Sequence, residues 1–203
     1  MTLFISKLMS GILELLIVSF IPFITWFIWS RKKTGFFDWI GLKPIQPQQI
    51  GRLVLTVFAS TLLMLLFSLV IFSWFDFSKT ATADFSGKGI GALPAILAYA
   101  ILGTALPEEI FFRGFLLKRL QGKLGFPGAN LVQSLLFGIL HALMFIQLIG
   151  YLKAMAIFAF ISLIAFVLGA INEQKANGSI LPSFLIHALA NTTVGLLFAF
   201  SLI

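Results

Sequence analysis

Cysteine is absent from the 203-residue chain. Its absence excludes disulfide bonds, zinc sites built on thiolates and a cysteine nucleophile. Histidine is nearly as scarce, with two residues, His141 and His187. Any chemistry that needs an imidazole must therefore use one or both of these positions.

Charged residues are also scarce, at 10% of the sequence, whereas hydrophobic residues make up 60%. A soluble domain is about half apolar and about a quarter charged. Too little polar surface remains to cover a water-soluble globule, so we expect the lipid bilayer to surround most of the side chains. The composition predicts an integral membrane protein.

The net charge of +7 would suggest nucleic-acid binding in a soluble protein. Here the Lys and Arg residues lie mainly at the ends of apolar segments, as the positive-inside bias requires. No basic face with interleaved aromatic residues is visible. We therefore predict no nucleic-acid partner.

Six apolar segments follow one another, each near the roughly 20 residues that a helix needs to cross hydrocarbon. They cover about Leu8–Trp29, Leu53–Phe75, Ile90–Leu117, Ala129–Ile149, Tyr151–Ile171 and Ile180 to the C-terminus. The first is too long for the core of a cleavable signal and is predicted to be a retained span. The expected fold is all-α, a polytopic bundle of about six transmembrane helices in a single membrane domain, 1–203.

The connections between these segments differ in charge. Basic residues dominate in 31–52 and in 118–123, whereas Lys79 and Lys88 are matched by Asp76 and Asp84. The positive-inside rule then predicts the first two connections in the cytoplasm, the last outside, and both termini outside. The two N-terminal spans, within 1–75, carry no recognised motif, so a site is expected in the helix bundle of residues 90–201.

A glutamate pair, Glu108 and Glu109, follows Pro107 inside the third apolar segment. A charge at mid-membrane costs from about 3 to well over 10 kcal/mol, so two adjacent acids require an explanation. Arg113 lies one helical turn after Glu109, in the favourable order for an ion pair. Glu108 points about 100° away on a helix and does not share that partner. This spacing predicts a neutralised, positioning Glu109 and an unpaired Glu108, a candidate general acid or base.

Both histidines lie in apolar segments as well. A single histidine in such a helix is more often a satisfied interior residue than a catalyst, but two of them beside a glutamate pair favour a site. His187 and Asn191 are one turn apart and point to the same side. Two such donors can hold an oxyanion, or Asn191 can simply bond a neighbouring helix. Small residues near these positions (Gly103, Gly114, Gly138, Ala188 and Ala190) allow close helix packing.

Three motifs occur in order: Glu108-Glu109-x-x-x-Arg113, Phe137-x-x-x-His141 and His187-x-x-x-Asn191. Together they resemble the signature of the CAAX protease and bacteriocin-processing (CPBP, or Abi) family of intramembrane proteases. The resemblance covers roughly 95–195. It implies a helical membrane bundle that hydrolyses a peptide bond, in some members near the C-terminus of a prenylated protein.

The resemblance also implies roles for individual residues. Glu108 and His141 would hold and deprotonate the attacking water, and His187 with Asn191 would stabilise the oxyanion. Glu109 and Arg113 would fix the helix that carries Glu108. Phe137 belongs to the motif that ends at His141 and is expected to support the site.

Zinc is the alternative to a metal-free mechanism. Glu108, His141 and His187 could fill three positions of a zinc ion and leave the fourth for water. However, the sequence has no H-E-x-x-H pattern, which places two ligands and a base on one helix. If Glu108 were a ligand, the base would have to be Glu109, which Arg113 already occupies. We therefore favour a mechanism without a cofactor.

Two other functions use similar residues. A proton-coupled transporter also places Glu and His in the membrane, but six segments without an inverted repeat match common carriers poorly. A non-catalytic immunity or scaffolding protein is the other alternative. For the enzyme, the expected partners are the bilayer and a peptide or membrane-protein substrate, possibly lipid-modified. A prokaryotic plasma membrane is the expected location.

Overall fold

The computed structural model describes residues 2–45, 50–73 and 80–203, and within these ranges it is helical without a strand. The N-terminal part contains α1 (Leu3–Trp29), the short α2 (Phe36–Ile40) and α3 (Ile50–Phe72). Two short 3-10 turns follow, Ala83–Phe85 and Gly89–Ala92. The predicted end of the second segment at Phe75 lies outside the described residues, as do Asp76 and Lys79.

The C-terminal part contains the predicted site. Its elements are α4 (Leu93–Ala98), a π-helical stretch (Tyr99–Ala105), α5 (Leu106–Glu109), a second π-helical stretch (Ile110–Leu117), α6 (Lys118–Ile149), α7 (Tyr151–Ala170), a π-helical turn (Ile171–Lys175) and α8 (Leu181–Ala199). The wide π-helical turns flank the short α5, which carries the glutamate pair. Pro107 in α5 has no N–H and cannot complete a regular α-helical ladder, which gives a physical reason for the irregular backbone before it.

Five continuous helical runs among the described residues are long and apolar enough to span a bilayer. One of them, Gly89–Ile149, is 61 residues long and contains both the third and the fourth predicted segments. The chain bends inside it at Gly125, whose φ of 66° and ψ of 171° are not helical. The predicted all-α membrane bundle is confirmed, with these two segments joined into one bent run.

Exposed apolar surface is extensive on α1, α3 and α6. Large apolar side chains such as Leu16 and Phe58 are 64% and 66% exposed. Side chains of this kind would be unfavourable in water but are compatible with hydrocarbon. The chain is an integral membrane protein.

The two ends of the bundle have different compositions. At the basic end, defined here by Lys43, Lys118, Glu173 and Gly178, Lys118 binds both Glu173 and the Gly178 carbonyl, and Ser179 binds the Lys43 carbonyl. At the other end, called the terminal end and defined by Lys7, Ala81, Asp84, Gly87 and Phe198, α1 and α8 meet the segment before α4. The start of α1 and the end of α8 thus lie at the same end of the bundle, and the location of this end outside the membrane stays a prediction.

Small residues allow the helices around the site to approach closely, as predicted. A methyl group added at Gly11 would lie 2.9 Å from the Leu102 side chain, beside Gly103. One added at Gly114 would lie 2.8 Å from the Ile40 carbonyl of α2. At Gly138 it would overlap the Ser162 hydroxyl of α7. These contacts fix α1, α2 and α7 against the helices that carry the predicted site residues.

Candidate active site

Glu109 lies in a closed, polar network. Its side chain and that of Arg113 are both 0% exposed, and Nη1 of Arg113 donates to Oε1 of Glu109 at 3.0 Å. Oε1 also lies 3.3 Å from Nδ1 of His187. The predicted ion pair is therefore present, and Glu109 has an additional role in orienting His187.

Ser183 and Asn172 complete this network. The Ser183 hydroxyl donates to Oε2 of Glu109 at 2.5 Å, and the Asn172 amide donates to the Ser183 oxygen at 2.7 Å. Asn172 also accepts from the backbone N–H of Ser183. All of these side chains are buried. Both oxygens of Glu109 are thus satisfied, as a buried carboxylate requires.

Glu108 is more exposed than Glu109, and one of its carboxylate oxygens lacks a hydrogen bond to any described residue. Its side chain is 27% exposed, and no hydrogen bond from a described residue reaches Oε2. The nearest basic group recorded for it is Nε2 of His187, 3.8 Å from Oε2. Glu108 lines a cavity of about 450 Å³ that also contains His141, His187 and Asn191. The structure therefore brings all four predicted catalytic side chains to one cavity.

His141 has a defined orientation in this cavity. Its Nδ1 lies 2.9 Å from the backbone carbonyl oxygen of Phe137, one turn earlier. A carbonyl only accepts, so Nδ1 carries a proton and Nε2 of the neutral ring remains an acceptor. The ring also packs against the Phe137 ring, with centroids 4.3 Å apart. His141 can therefore accept a hydrogen bond, and a proton, at Nε2.

Phe137 packs among His141, Arg113 and His187. Its ring contacts that of Phe112 edge-on at 4.8 Å, and the Arg113 guanidinium lies 4.5 Å from its centroid. Its other neighbours are the rings of His141 and, at 6.5 Å, His187. Cation–π and edge contacts of this kind fix ring geometry. Phe137 therefore contacts both histidines and Arg113, and its supporting role stays a prediction.

Asn191 is held by Thr104, a residue that was not predicted. Nδ2 of Asn191 donates to the Thr104 hydroxyl oxygen at 2.7 Å, while that hydroxyl donates to the Ala100 carbonyl at 2.9 Å. Because the Thr104 proton is used by Ala100, the Thr104 oxygen must accept, and this fixes which end of the Asn191 amide faces it. One N–H of Nδ2 then remains for a group in the cavity.

The rest of the cavity wall is largely apolar. It includes residues of α3, α6, α7 and α8, among them Met64, Ser68, Phe145, Ile161 and Val194. Pockets of this composition hold an apolar ligand and use a few polar groups to orient it. Here the polar groups converge around Glu108.

A family model, described as type II CAAX prenyl endopeptidase Rce1-like, matches residues 90–193, about half of the chain. The chain belongs to this family. It is the CPBP family that the three motifs resemble, and its members are proteases. No significant match was found among curated proteins or solved structures.

The zinc alternative for this CPBP protein concerns the donors Glu108, His141 and His187. Among the residues that the structure describes, no three His, Cys, Asp or Glu side chains are grouped as a metal site. Nδ1 of His187 faces Glu109, and its Nε2 is 3.8 Å from Glu108. The metal-free mechanism at Glu108, His141 and His187 stays a prediction.

Three polar residues of this site were missed by the sequence reasoning: Thr104, Asn172 and Ser183. A signal for one of them was present, because Ser183, His187 and Asn191 are spaced by four residues and form one polar stripe on α8. Thr104 likewise lies four residues before Glu108 in an otherwise apolar segment. Nothing in the sequence indicated that α3 lines the cavity, since its lining residues are of types that are common in membrane spans.

Proposed function

We propose that this CPBP-family protein is an intramembrane endopeptidase in which Glu108 and His141 activate a water molecule and His187 and Asn191 stabilise the oxyanion. The observation that carries this proposal is the convergence of these four side chains on one cavity. Within it, Glu108 has an oxygen without a hydrogen-bond partner among the described residues, whereas Glu109 is fully bonded.

Water activation follows from the orientation of the two proposed bases. Nε2 of His141 is free to accept a hydrogen bond from water, and Glu108 is the carboxylate that can take a proton from it. The water oxygen then attacks the carbonyl carbon of the peptide bond, and the proton moves to Glu108. When the C–N bond breaks, the proton passes to the leaving nitrogen, which yields a carboxylic acid and an amine.

Stabilisation of the oxyanion uses donors held in place before the reaction. Asn191 offers the second N–H of its amide, with Thr104 holding the first. His187 gives Nδ1–H to Glu109, so Nε2 can donate to an oxyanion when the ring carries two protons, with the Glu109 carboxylate balancing its charge. Removal of one donor of this type typically costs about 10²–10³ in kcat.

The proposed substrate is a peptide or membrane protein, possibly with a lipid modification, and the proposed reaction uses no metal. The largely apolar cavity suits a peptide with apolar side chains or a lipid chain. We further propose a prokaryotic plasma membrane as the location. Purified protein is treated with a chelator, and elemental analysis is used to confirm that no zinc is bound. The protein is then expected to keep full activity. Loss of activity that zinc alone restores would contradict the metal-free mechanism.

The substrate can be found by comparing peptides released from membranes that contain the wild-type protein or the Glu108→Ala variant. Peptides released only by the wild type identify substrate and cleavage site together. His141→Ala is expected to behave like Glu108→Ala while the protein still inserts in the membrane. Equal cleavage by the wild type and both variants would remove the proposal, and a partner bound equally well by all three would favour a non-catalytic role.

A further inference from the structure

Tyr99 lines the catalytic cavity together with Thr104 and Glu108. On a regular α-helix, with about 100° between successive residues, positions 99 and 108 would point in opposite directions. The π-helical stretch Tyr99–Ala105 changes this, because its wider turn pairs residue i with residue i+5. The Thr104 hydroxyl accordingly reaches the Tyr99 carbonyl, at 3.4 Å. The irregular turn thus brings Tyr99 to the side of the helix that carries Thr104 and Glu108.

The hydroxyl of Tyr99 has no hydrogen bond to a described residue. Other hydroxyls of the cavity wall are occupied, since Ser68 and Thr104 each donate to a carbonyl of their own helix. Tyrosine hydroxyls in enclosed sites usually have a hydrogen-bond partner. The Glu108 carboxylate acts electrostatically on the Tyr99 hydroxyl, so both groups face the same part of the cavity. A hydrogen-bond donor that the protein does not use therefore lies near the groups that we propose to react.

The Tyr99 ring is held in place without the help of its hydroxyl. The Phe85 ring contacts it edge-on, with centroids 5.8 Å apart. The Lys7 ammonium lies 5.5 Å from the centroid of the Tyr99 ring and is fixed by an ion pair with Asp84 at 2.8 Å. Contacts of this kind orient aromatic rings. Helix α1, which carries no family motif, therefore contributes to the cavity through Tyr99.

A polypeptide that enters this largely apolar cavity loses its hydrogen bonds to water. Backbone carbonyls that find no donor there are costly to bury. The remaining N–H groups of Asn191 and His187 are assigned to the oxyanion, so they do not serve the carbonyls of neighbouring residues. A phenol is uncharged and donates one hydrogen bond, and a ring that is already fixed loses little conformational entropy on binding. The Tyr99 hydroxyl has the chemistry that such a carbonyl needs.

We propose that Tyr99 is a substrate-binding residue, whose hydroxyl donates a hydrogen bond to a backbone carbonyl of the bound polypeptide other than the carbonyl that is attacked. This inference rests on the proposed function for the nature of the substrate. Tyr99 is nine residues before Glu108, which at about 1.5 Å per residue separates them by about 13 Å or less along the helix. An extended peptide advances about 3.3 Å per residue, so the bound carbonyl lies within about four residues of the cleaved bond.

The chain has two tyrosines, Tyr99 and Tyr151, and Tyr151 is 77% exposed on α7. In a Tyr151→Phe variant, incorporation of 3-fluorotyrosine therefore gives a single fluorine NMR signal, from Tyr99. The probe is an acetylated and amidated octapeptide of alternating alanine and leucine, which is apolar and uncharged. A Glu108→Gln background keeps the probe uncut during the titration. The Tyr99 signal is expected to shift until the binding site is saturated.

The contribution of the hydroxyl is measured with Tyr99→Phe, which keeps the ring and removes only the donor. In the same Glu108→Gln background, calorimetric titration should show that it binds the octapeptide about five-fold more weakly, as loss of one neutral hydrogen bond implies. Its melting temperature should not change, because the hydroxyl bonds no described residue. Tyr151→Phe is the matched control and should bind the octapeptide as tightly as the protein with both tyrosines.

Equal affinity of Tyr99→Phe and Tyr151→Phe for the octapeptide would overturn the inference. A Tyr99 fluorine signal that does not move during the titration would also overturn it, as would a lower melting temperature of Tyr99→Phe, which would make the hydroxyl a structural group. These measurements report binding without cleavage. A protein that binds the octapeptide through Tyr99 but releases no peptide from membranes in a Glu108-dependent way would remove the proposed function alone.

Discussion

Glu108 and Glu109 are neighbours in the chain but belong to two regions with opposite properties. The Glu109 region is closed, fully buried and hydrogen-bonded at both carboxylate oxygens. The Glu108 region is a cavity in which one carboxylate oxygen receives no hydrogen bond from a described residue. His187 touches both, with Nδ1 toward Glu109 and Nε2 toward Glu108. The hydrogen-bonded network around Glu109 thus holds the groups around Glu108 in place.

Adjacent acids in a membrane helix therefore need not share a function. A buried carboxylate is tolerated when every oxygen has a partner, as for Glu109. A carboxylate that lacks such partners is costly unless it serves chemistry, as we propose for Glu108. Substitutions around Glu108 should therefore mainly lower activity, and substitutions around Glu109 should mainly lower stability.

The largest effect is expected for Glu108→Gln. The amide keeps the shape of the side chain but cannot take a proton from water, so cleavage should fall by about 10²–10⁴-fold. The melting temperature in detergent should stay near that of the wild type, because Oε2 makes no hydrogen bond to a described residue. Glu14→Gln, on the exposed side of α1, is the matched control and should keep full activity. Equal activity of both variants would contradict the assignment of Glu108.

Arg113→Met should lower the stability of the protein more than any substitution in the cavity. It leaves Glu109 buried without its cation, and loss of one partner of a buried ion pair costs about 3–5 kcal/mol. Thermal unfolding of purified protein measures this effect. Arg52→Met, at an exposed arginine of α3, provides the comparison and should change stability little. A melting temperature for Arg113→Met equal to that of Arg52→Met would mean that the network does not stabilise the fold.

Ser183→Ala should have a smaller effect of the same kind. Glu109 and Asn172 would each lose a partner inside the protein, which costs about 1–3 kcal/mol per buried group. Thr193→Ala on the same helix removes a hydroxyl that bonds only the preceding turn, so its effect should be within about 0.5 kcal/mol. The difference in melting temperature between the two variants is the measurement. No difference would argue against the contribution of Ser183.

Thr104→Val, in the wall of the Glu108 cavity, is expected to give the smallest effect, a modest loss of activity. Without the hydroxyl, the Asn191 amide loses its fixed orientation, and kcat should fall by about ten-fold, less than the 10²–10³ that removal of an oxyanion donor itself causes. KM should change little, because the amide acts mainly in the transition state. Thr104→Ser keeps the hydroxyl and should restore kcat. Failure of serine to restore it would point to a packing role for Thr104.

The sequence was informative wherever a contact is local. The Glu109–Arg113 pair spans one turn of helix, so spacing alone predicted it. The bonds from Ser183 to Glu109 and from Asn191 to Thr104 cross 74 and 87 positions of the chain. Such contacts depend on which helix faces which, and that is decided by packing at small residues such as Gly11 and Gly138.

The division between the two glutamates is tested most directly by measuring cleavage per folded molecule and melting temperature for Glu108→Gln and Glu109→Gln side by side. Glu108→Gln is expected to melt like the wild type and to lose cleavage. Glu109→Gln is expected to melt at a clearly lower temperature, because Arg113 is then buried beside a neutral amide. A Glu109→Gln protein as stable as the wild type, or a Glu108→Gln protein that still cleaves at the wild-type rate, would contradict this division between the two glutamates.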